Sequence, residues 1–253
     1  MPPYPIVILQ LTDLHILKEP GDTMSGVDTE YTFKQVLEYA LAKHKNTDLI
    51  LLTGDLTQDP HKPSYQRIYQ ELKKHHLRSI CFPGNHDDLE MMQQVFSDEQ
   101  INCNKHIKFK DWQIICLNSQ IPGSHSGRLN ADELDFLRTT LDTQADLNTL
   151  VAVHHHPVPT NSQWMDTMLI ENSDELFSLL ENYPQVKVMI CGHIHQQLEI
   201  EKQDIAILGT PSTCFQFTPQ KKDYSVDITD PGYRLIELYP NGRINSKIYY
   251  VPC

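Results

Sequence analysis

Five short polar clusters in this sequence hold the side chains best suited to binding metal ions. They are Asp13 and His15 in TDLH, Asp55 in GD, Asn85, His86 and Asp87 in PGNHD, the triplet His154, His155 and His156 before Pro157, and His193 and His195 in GHIH. Together they offer carboxylates, an amide oxygen and imidazoles, with no thiolate. Such a set argues against a structural zinc or iron–sulfur site and for hard to borderline ions such as manganese, iron or zinc. The donors are too many for one ion with open positions. They suit two ions roughly 3.5 to 4 Å apart that share a carboxylate, an arrangement used by many phosphatases and nucleases.

Taken singly, each cluster has a plain explanation. A lone D-x-H in a turn is a cap or an exposed pair, and a lone G-D is a common turn. A histidine triplet can close a strand with one packed imidazole, and GHIH can be a strand with two solvated ones. Their shared placement changes the reading, because each cluster lies at the carboxyl end of a short apolar run. The runs are Ile6–Leu11, Leu49–Thr53, Ser79–Phe82, Leu150–Val153 and Val186–Cys191, and a sixth, Trp112–Leu117, lies among them. Buried parallel strands have this continuous apolar character, and ligands collect beyond their carboxyl ends. If His193 and His195 continue in extended backbone, both imidazoles point to one face, so that each of two neighbouring ions takes one.

Helical periodicity fills the intervals, over 32–45, 64–76, 89–96 and 131–141, the last preceded by Asn130 as N-cap with Glu133 in the capping-box position. After Gly192 the pattern becomes short strands and turns, predicting an antiparallel run to the C-terminus. Alternating strands and helices followed by a β-rich tail predict an α/β fold with two mixed sheets flanked by helices. No linker, repeat or low-complexity tract divides the chain, so residues 1–253 are expected to form one domain. The stretches 21–28, 120–127 and 157–171 lack periodicity and are candidate functional loops.

Composition narrows the partners. The 253 residues carry a formal net charge of -12, which excludes a broad basic surface for nucleic acid or anionic membrane. A phosphate ligand would have to be attracted locally, by cations held in the cluster. There is no apolar run of membrane-spanning length and no signal-peptide pattern at the start, so a cytoplasmic location is expected. The six cysteines lack C-x-x-C spacing and read as reduced, mostly buried thiols.

In these blocks the sequence resembles the calcineurin-like metallophosphoesterase superfamily, whose signature is D-x-H, G-D, G-N-H-[DE], H-x-P and G-H-x-H. All five stand here in order, spanning residues 6 to 195. The resemblance implies a four-layer αββα sandwich. It further implies that Asp13, His15, Asp55 and His195 hold a first metal, and that Asp55, Asn85, His155 and His193 hold a second. Asp55 would be the bridge, and the metals would be iron or manganese, with zinc as the alternative. The H-x-P register selects His155 from the triplet, leaving His154 packed on the other face. A hydroxide between the metals would be the nucleophile. His86 would act on the phosphate, oriented by Asp87 or a nearby acid, and Asn85, His86, His156 and His195 would face the substrate.

Three further segments, SQIPGSHSGRL, HHHPVP followed by WMD, and TPSTCFQF, are similar to the class III 3',5'-cyclic AMP phosphodiesterases of bacteria. That similarity implies hydrolysis of cyclic AMP to 5'-AMP. The rivals are a broad phosphodiesterase acting on 2',3'-cyclic nucleotides or small glycerol phosphodiesters, and a non-catalytic scaffold on the same fold. A protein serine/threonine phosphatase is disfavoured, since Asp55 is followed by LTQD and not by the G-D-x-x-D-R-G form. Trp164, Met165 and Asp166 are candidates for the pocket wall, with packing as the alternative. Arg128 reads as a surface cation, Cys214 and Phe217 as strand residues, and His44, His75 and His76 as solvated. Asn118 stands where similar sequences often carry Asp. A monomer and a homodimer are both compatible with the tail 233–251, which could pair with a second copy or close its own sheet.

Overall fold

The computed structural model describes residues 4–253. In chain order its strands and helices begin with β1 (Ile6–Leu11), the small hairpin β2 (Thr23–Met24) and β3 (Val27–Asp28), α1 (Thr29–Lys43), β4 (Leu49–Thr53), α2 (Lys62–Lys73) and β5 (Ser79–Phe82). There follow α3 (Leu89–Val95), β6 (Ile101–Asn102), β7 (His106–Lys108), β8 (Trp112–Leu117), α4 (Ala131–Thr143), β9 (Asn148–Val153) and α5 (Ser173–Leu180). The remainder is β10 (Val186–Cys191), β11 (Leu198–Lys202), β12 (Ile205–Gly209), β13 (Gln216–Phe217), β14 (Val226–Asp227), β15 (Gly232–Leu238) and β16 (Ile244–Tyr250).

Two six-stranded mixed sheets form, in the orders β16-β15-β1-β4-β5-β6 and β11-β12-β10-β9-β8-β7. Strand alternation explains how they stack. Leu9, Leu11, Ile50 and Leu52 face outward onto Phe33, Val36 and Leu37 of α1 and Tyr65 and Ile68 of α2. Their neighbours Ile8, Leu49 and Leu51 face inward, against Ile114, Leu150, Ala152, Val188 and Ile190 of the second sheet. The outer face of that sheet, with Ile115, Val151 and Met189, packs on Leu134, Leu137 and Leu141 of α4 and Leu176 and Leu180 of α5. The result is the four-layer αββα sandwich, with both sheets buried on both faces. That is why the strands read as continuous apolar runs.

The elements differ from the sequence reading in instructive places. Helix α1 starts at Thr29, three residues early, because Asp28 caps it by accepting from Tyr31 N at 2.9 Å. Asn130 caps α4 as expected, accepting from Glu133 N, but Glu133 does not reach back. Its carboxylate accepts from Asn118 N and Lys105 Nζ, which ties the helix to the end of β8. The tail is not wholly antiparallel: β11 occupies the edge, and the hairpin returns β12 parallel to β10. Strands β15 and β16 close their own sheet by pairing β15 with β1. Among the described residues, no helix is long and apolar enough to cross a membrane.

Polar groups also cross the inter-sheet space. Gln10, fully buried, donates to Thr53 Oγ1 and Cys191 O at 3.1 Å and accepts from Thr210 Oγ1. Arg234, buried on β15, donates to Glu199 (2.9 Å) on β11 and to Gly209 O (2.8 Å) on β12. Such groups stay buried because their hydrogen bonds are met.

Candidate metal centre

Strands β1, β4 and β5 run parallel in one sheet, as do β8, β9 and β10 in the other. The turns that follow β1, β4, β5, β9 and β10 come together across the two sheets. His193 N donates to both carboxylate oxygens of Asp13 at 3.1 and 3.0 Å, and His86 N donates to Asp55 Oδ1 at 2.9 Å. Gly54 and Gly84 let these turns approach. A Cβ on Gly54 would collide with the His154 ring, and one on Gly84 with the Asp55 carboxylate. Asp13, His15, Asp55, His193 and His195 all have left-handed backbone, with φ between 45° and 67°. For a residue with a Cβ this costs about 1–2 kcal/mol, and strain of this kind collects at functional sites. It also corrects the expectation of extended backbone at His193 and His195, since β10 ends at Cys191 and both residues lie in a tight turn.

Two groups of donors result. In the first, His195 Nε2 lies 3.1 Å from His15 Nε2 and 3.4 Å from Asp13 Oδ1. In the second, His154 Nε2 lies 3.2 Å from both Asp55 Oδ2 and Asn85 Oδ1, and the His193 ring is 5.2 Å from that of His154 and 4.7 Å from that of His155. Asp55 Oδ2 is approached from both sides, since it also lies 3.8 Å from His15 Nε2. The far nitrogens are anchored: His15 Nδ1 donates to Gln58 Oε1, His195 Nδ1 to Phe215 O, and His154 Nδ1 to Thr53 O, at 2.8–2.9 Å. This leaves Nε2 of each ring for the interior, the usual role of outer partners around a metal.

Electrostatics favour positive charge here. Burial opposes ionisation of Asp55, but the adjacent His154 and their hydrogen bond hold its carboxyl well below the usual range. Asp13 is likewise lowered, with His195 outweighing burial. Burial pushes the His15 imidazole down to about 4, and His155 and His193 also fall well below their usual value through burial and repulsion from neighbouring imidazoles of the triplet. His154 runs the other way: despite burial, the Asp55 charge raises it to about 9. Nε2 of His155 and of His193 are buried with no hydrogen-bond partner, each at a cost of about 1–3 kcal/mol. Ionised carboxylates, neutral imidazoles and orphaned ring nitrogens, in overlapping groups whose atoms lie within 4.8 Å of one another, fit bound cations.

The family model for calcineurin-like phosphoesterases matches residues 6–197. The chain belongs to the calcineurin-like phosphoesterase family. A 3',5'-cyclic adenosine monophosphate phosphodiesterase, CpdA, of Pseudomonas aeruginosa is 36% identical over 96% of this chain and 89% of its own length. A 3',5'-cyclic-nucleotide phosphodiesterase of Nostoc sp. is 35% identical, over 98% of this chain and 93% of its own. In fold the chain is similar to a dimetal phosphatase from Danio rerio, with a TM-score of 0.63 at 12% identity, covering 98% and 99% of the two chains. This phosphoesterase is thus a metal-dependent phosphodiester hydrolase.

Several residues of the phosphoesterase site sit differently from the sequence reading. His154 is not packed away. Strand β9 ends at Val153, so strand alternation no longer separates residues 154 and 155, and His154 is the triplet member nearest Asp55 and Asn85. The His155 Nδ1 shares a 2.7 Å hydrogen bond with Ser119 Oγ, and its Nε2 lies beside His193. Asp87 does not orient His86. Its carboxylate accepts from Leu56 N, Thr57 N, Gly84 N and Tyr65 Oη, joining the β4 and β5 turns, and burial with the Asp55 charge raises it to about 6. Instead, His86 Nδ1 donates to Gln58 O at 2.9 Å.

A cavity of about 250 Å³ opens over the donors. His15, Asp55, Asn85, His86, His193 and His195 line it together with Trp164, Phe217 and Tyr224. Phe217 stacks on His195, 4.2 Å between ring centroids, and Trp164 and Tyr224 meet Phe217 edge-on. Trp164 and Met165 therefore wall the pocket, but Asp166 turns away to accept from Thr160 N and Asn161 N. His156, expected at the substrate, is wholly buried behind His193 and 3.8 Å from Asp166. Phe217 does more than pack a strand. His44 donates or accepts at Tyr233 Oη, and His75 is half-buried near Glu71, so neither is freely solvated. Arg128 is exposed, paired with Glu171. Gln58 and His125 were missed: neither falls within the five signature blocks, although His125 lies in the SQIPGSHSGRL segment.

Proposed function

We propose that this phosphoesterase hydrolyses 3',5'-cyclic AMP to 5'-AMP with two bound cations. The cavity carries the reading. Its lining combines donors that can hold metal ions, and hence an anionic diester, with the aromatic rings of Trp164, Phe217 and Tyr224. A cyclic nucleotide matches both, whereas a glycerol phosphodiester matches only the first. Base–aromatic stacking contributes about 1–3 kcal/mol. The names of the two bacterial relatives agree with it.

Asp13, His15, Asp55 and His195 would hold one ion. Asp55, Asn85 and His193 would hold the other, with His154 as the nearest imidazole of the triplet and His155 as the alternative. Iron and manganese suit this set, and zinc is compatible with it. When bound, the ions supply Lewis acidity toward the phosphoryl oxygens and lower the pKa of a coordinated water. Phe217, Trp164 and Tyr224 would orient the base, setting the 3' oxygen opposite the attacking water. His86, with Nδ1–H tied to Gln58 O, keeps Nε2 for the substrate. In its protonated form this nitrogen delivers the proton to the 3' oxygen as the P–O3' bond breaks.

Turnover of 3',5'-cyclic AMP, 2',3'-cyclic AMP and glycerophosphodiesters, with one metal supplied at a time, tests the reading. The 3',5' diester is expected to give the highest kcat/KM. His86→Ala is expected to keep its metal and lose about 10²–10⁴-fold in kcat. Faster hydrolysis of glycerophosphodiesters would favour the broad phosphodiesterase. Two bound ions with no turnover of any diester would favour the scaffold.

A further inference from the structure

Asn85 can serve an ion in only one orientation of its side-chain amide. A carboxamide has two ends of similar shape, and only the oxygen can face a cation. Asn85 Oδ1 points inward, 3.2 Å from His154 Nε2, so Nδ2 points out of the site. There it meets His125 Nδ1 at 3.2 Å. A carboxamide nitrogen is only a donor, so this ring nitrogen accepts and carries no hydrogen. The hydrogen of a neutral His125 is therefore on Nε2.

His125 belongs to the aperiodic loop 120–127, which is held down independently of this contact. Gln120 Nε2 donates to Gly84 O at 2.6 Å and to Asp87 O at 2.7 Å, binding the loop to the turn that carries Asn85. Gly127 lies against the His155 ring so closely that a Cβ there would overlap it. At its start the loop follows Ser119, the partner of His155. His125 itself is exposed, lines the cavity, and has its ring 5.4 Å from that of His86.

We infer that His125 is a positioning residue that fixes the carboxamide of Asn85 with its oxygen toward the second ion. Without the acceptor at His125 Nδ1, Asn85 can turn its amide nitrogen inward, where it would repel a cation and compete for Asp55. The inference rests on the two-ion reading above and adds a residue that lies outside the signature blocks. Outer partners of this kind typically govern metal affinity by about 10–100-fold.

Manganese binding by calorimetry on the full-length, metal-stripped protein separates the possibilities, using His125→Phe and His125→Asn. Phenylalanine keeps a ring in the loop but has no acceptor, while asparagine keeps an oxygen acceptor close to where Nδ1 stands. The parent is expected to bind two ions. In His125→Phe one of the two ions is expected to lose about 10–100-fold in affinity with the other unchanged, and His125→Asn should recover most of that loss. Equal affinity for both ions in parent and His125→Phe would overturn the inference and leave the two-ion reading intact. A loss in both variants alike would also overturn it, since packing and not the acceptor would then be responsible. A parent that binds no second ion would instead remove the reading beneath it.

Discussion

The two sheets furnish the site unequally. The first, through the turns after β1, β4 and β5, supplies every oxygen donor, Asp13, Asp55 and Asn85, with the imidazoles of His15 and His86. The second, through the turns after β9 and β10, supplies imidazoles alone, His154, His155, His193 and His195. The charges follow this division in part: the carboxyls of the first sheet are held ionised and burial lowers His155 and His193 of the second, while the Asp55 charge raises His154. Neither half could retain a pair of cations by itself, because one lacks enough donors and the other lacks the negative charge. The chemistry therefore belongs to the packing of one sheet on the other.

The largest break in that comparison is at the one oxygen approached from both sides. Asp55→Ala is expected to lose both ions and about 10³-fold or more of activity, exceeding the 10–100-fold typical of an outer partner. Metal analysis beside turnover checks it, and a fully active, metal-loaded variant would overturn the bridging role. The next effect sharpens the imidazole half. His154→Ala is expected to release the second ion and cost roughly 10²–10³-fold, as for loss of a main electrostatic donor, with His155→Ala costing about 10-fold. The reverse order would return the ligand role to His155.

Further from the chemistry, Arg234 joins the two halves from β15 to β11 and β12. Arg234→Ala strands Gly209 O and empties a buried volume, at about 2–3 kcal/mol. For a chain of this size that lowers Tm by about 5–10 °C, while kcat per folded molecule with metals saturating stays unchanged. A normal Tm would show that the apolar inter-sheet core alone holds the halves together. The smallest effect concerns the first half only. Burial raises the Glu30 carboxyl, but the hydrogen bonds from Lys34 and Arg67 outweigh it and leave its pKa below the ordinary 4.5. A depressed carboxyl pKa stabilises the fold above the unfolded value and loses that contribution as pH falls through the folded one. Unfolding free energy measured from pH 7 to pH 3 should therefore decline less steeply in Glu30→Gln than in the parent.

Much of this was legible before any coordinates. Asp13, His15, Asp55, Asn85, His193 and His195 were marked by residue type and by their place after apolar runs, and the same runs gave both sheets. Hydrophobic continuity reports burial on two faces, so the strands were easy to find. His154 was misread because alternation was carried one residue past the end of β9. Asp87 was misread because a carboxylate next to a histidine in sequence need not touch it in space. The parallel placement of β12 was missed because turn residues show where a chain reverses, not which strand it will join.

The sequence by itself determined which atoms are available: oxygen and imidazole donors without thiolate, at the ends of strands long enough to bury both faces. That information is local, since side-chain chemistry and hydrophobic period are read within a few residues. Only the tertiary structure decided which of three adjacent imidazoles meets Asp55, that Gln58 O and not Asp87 holds His86, and that Phe217, Trp164 and Tyr224 line the same cavity as the donors. Those are contacts between segments separated by tens to hundreds of residues. They are set by left-handed turns, glycine clearances and inter-sheet packing, which leave no local period in the chain.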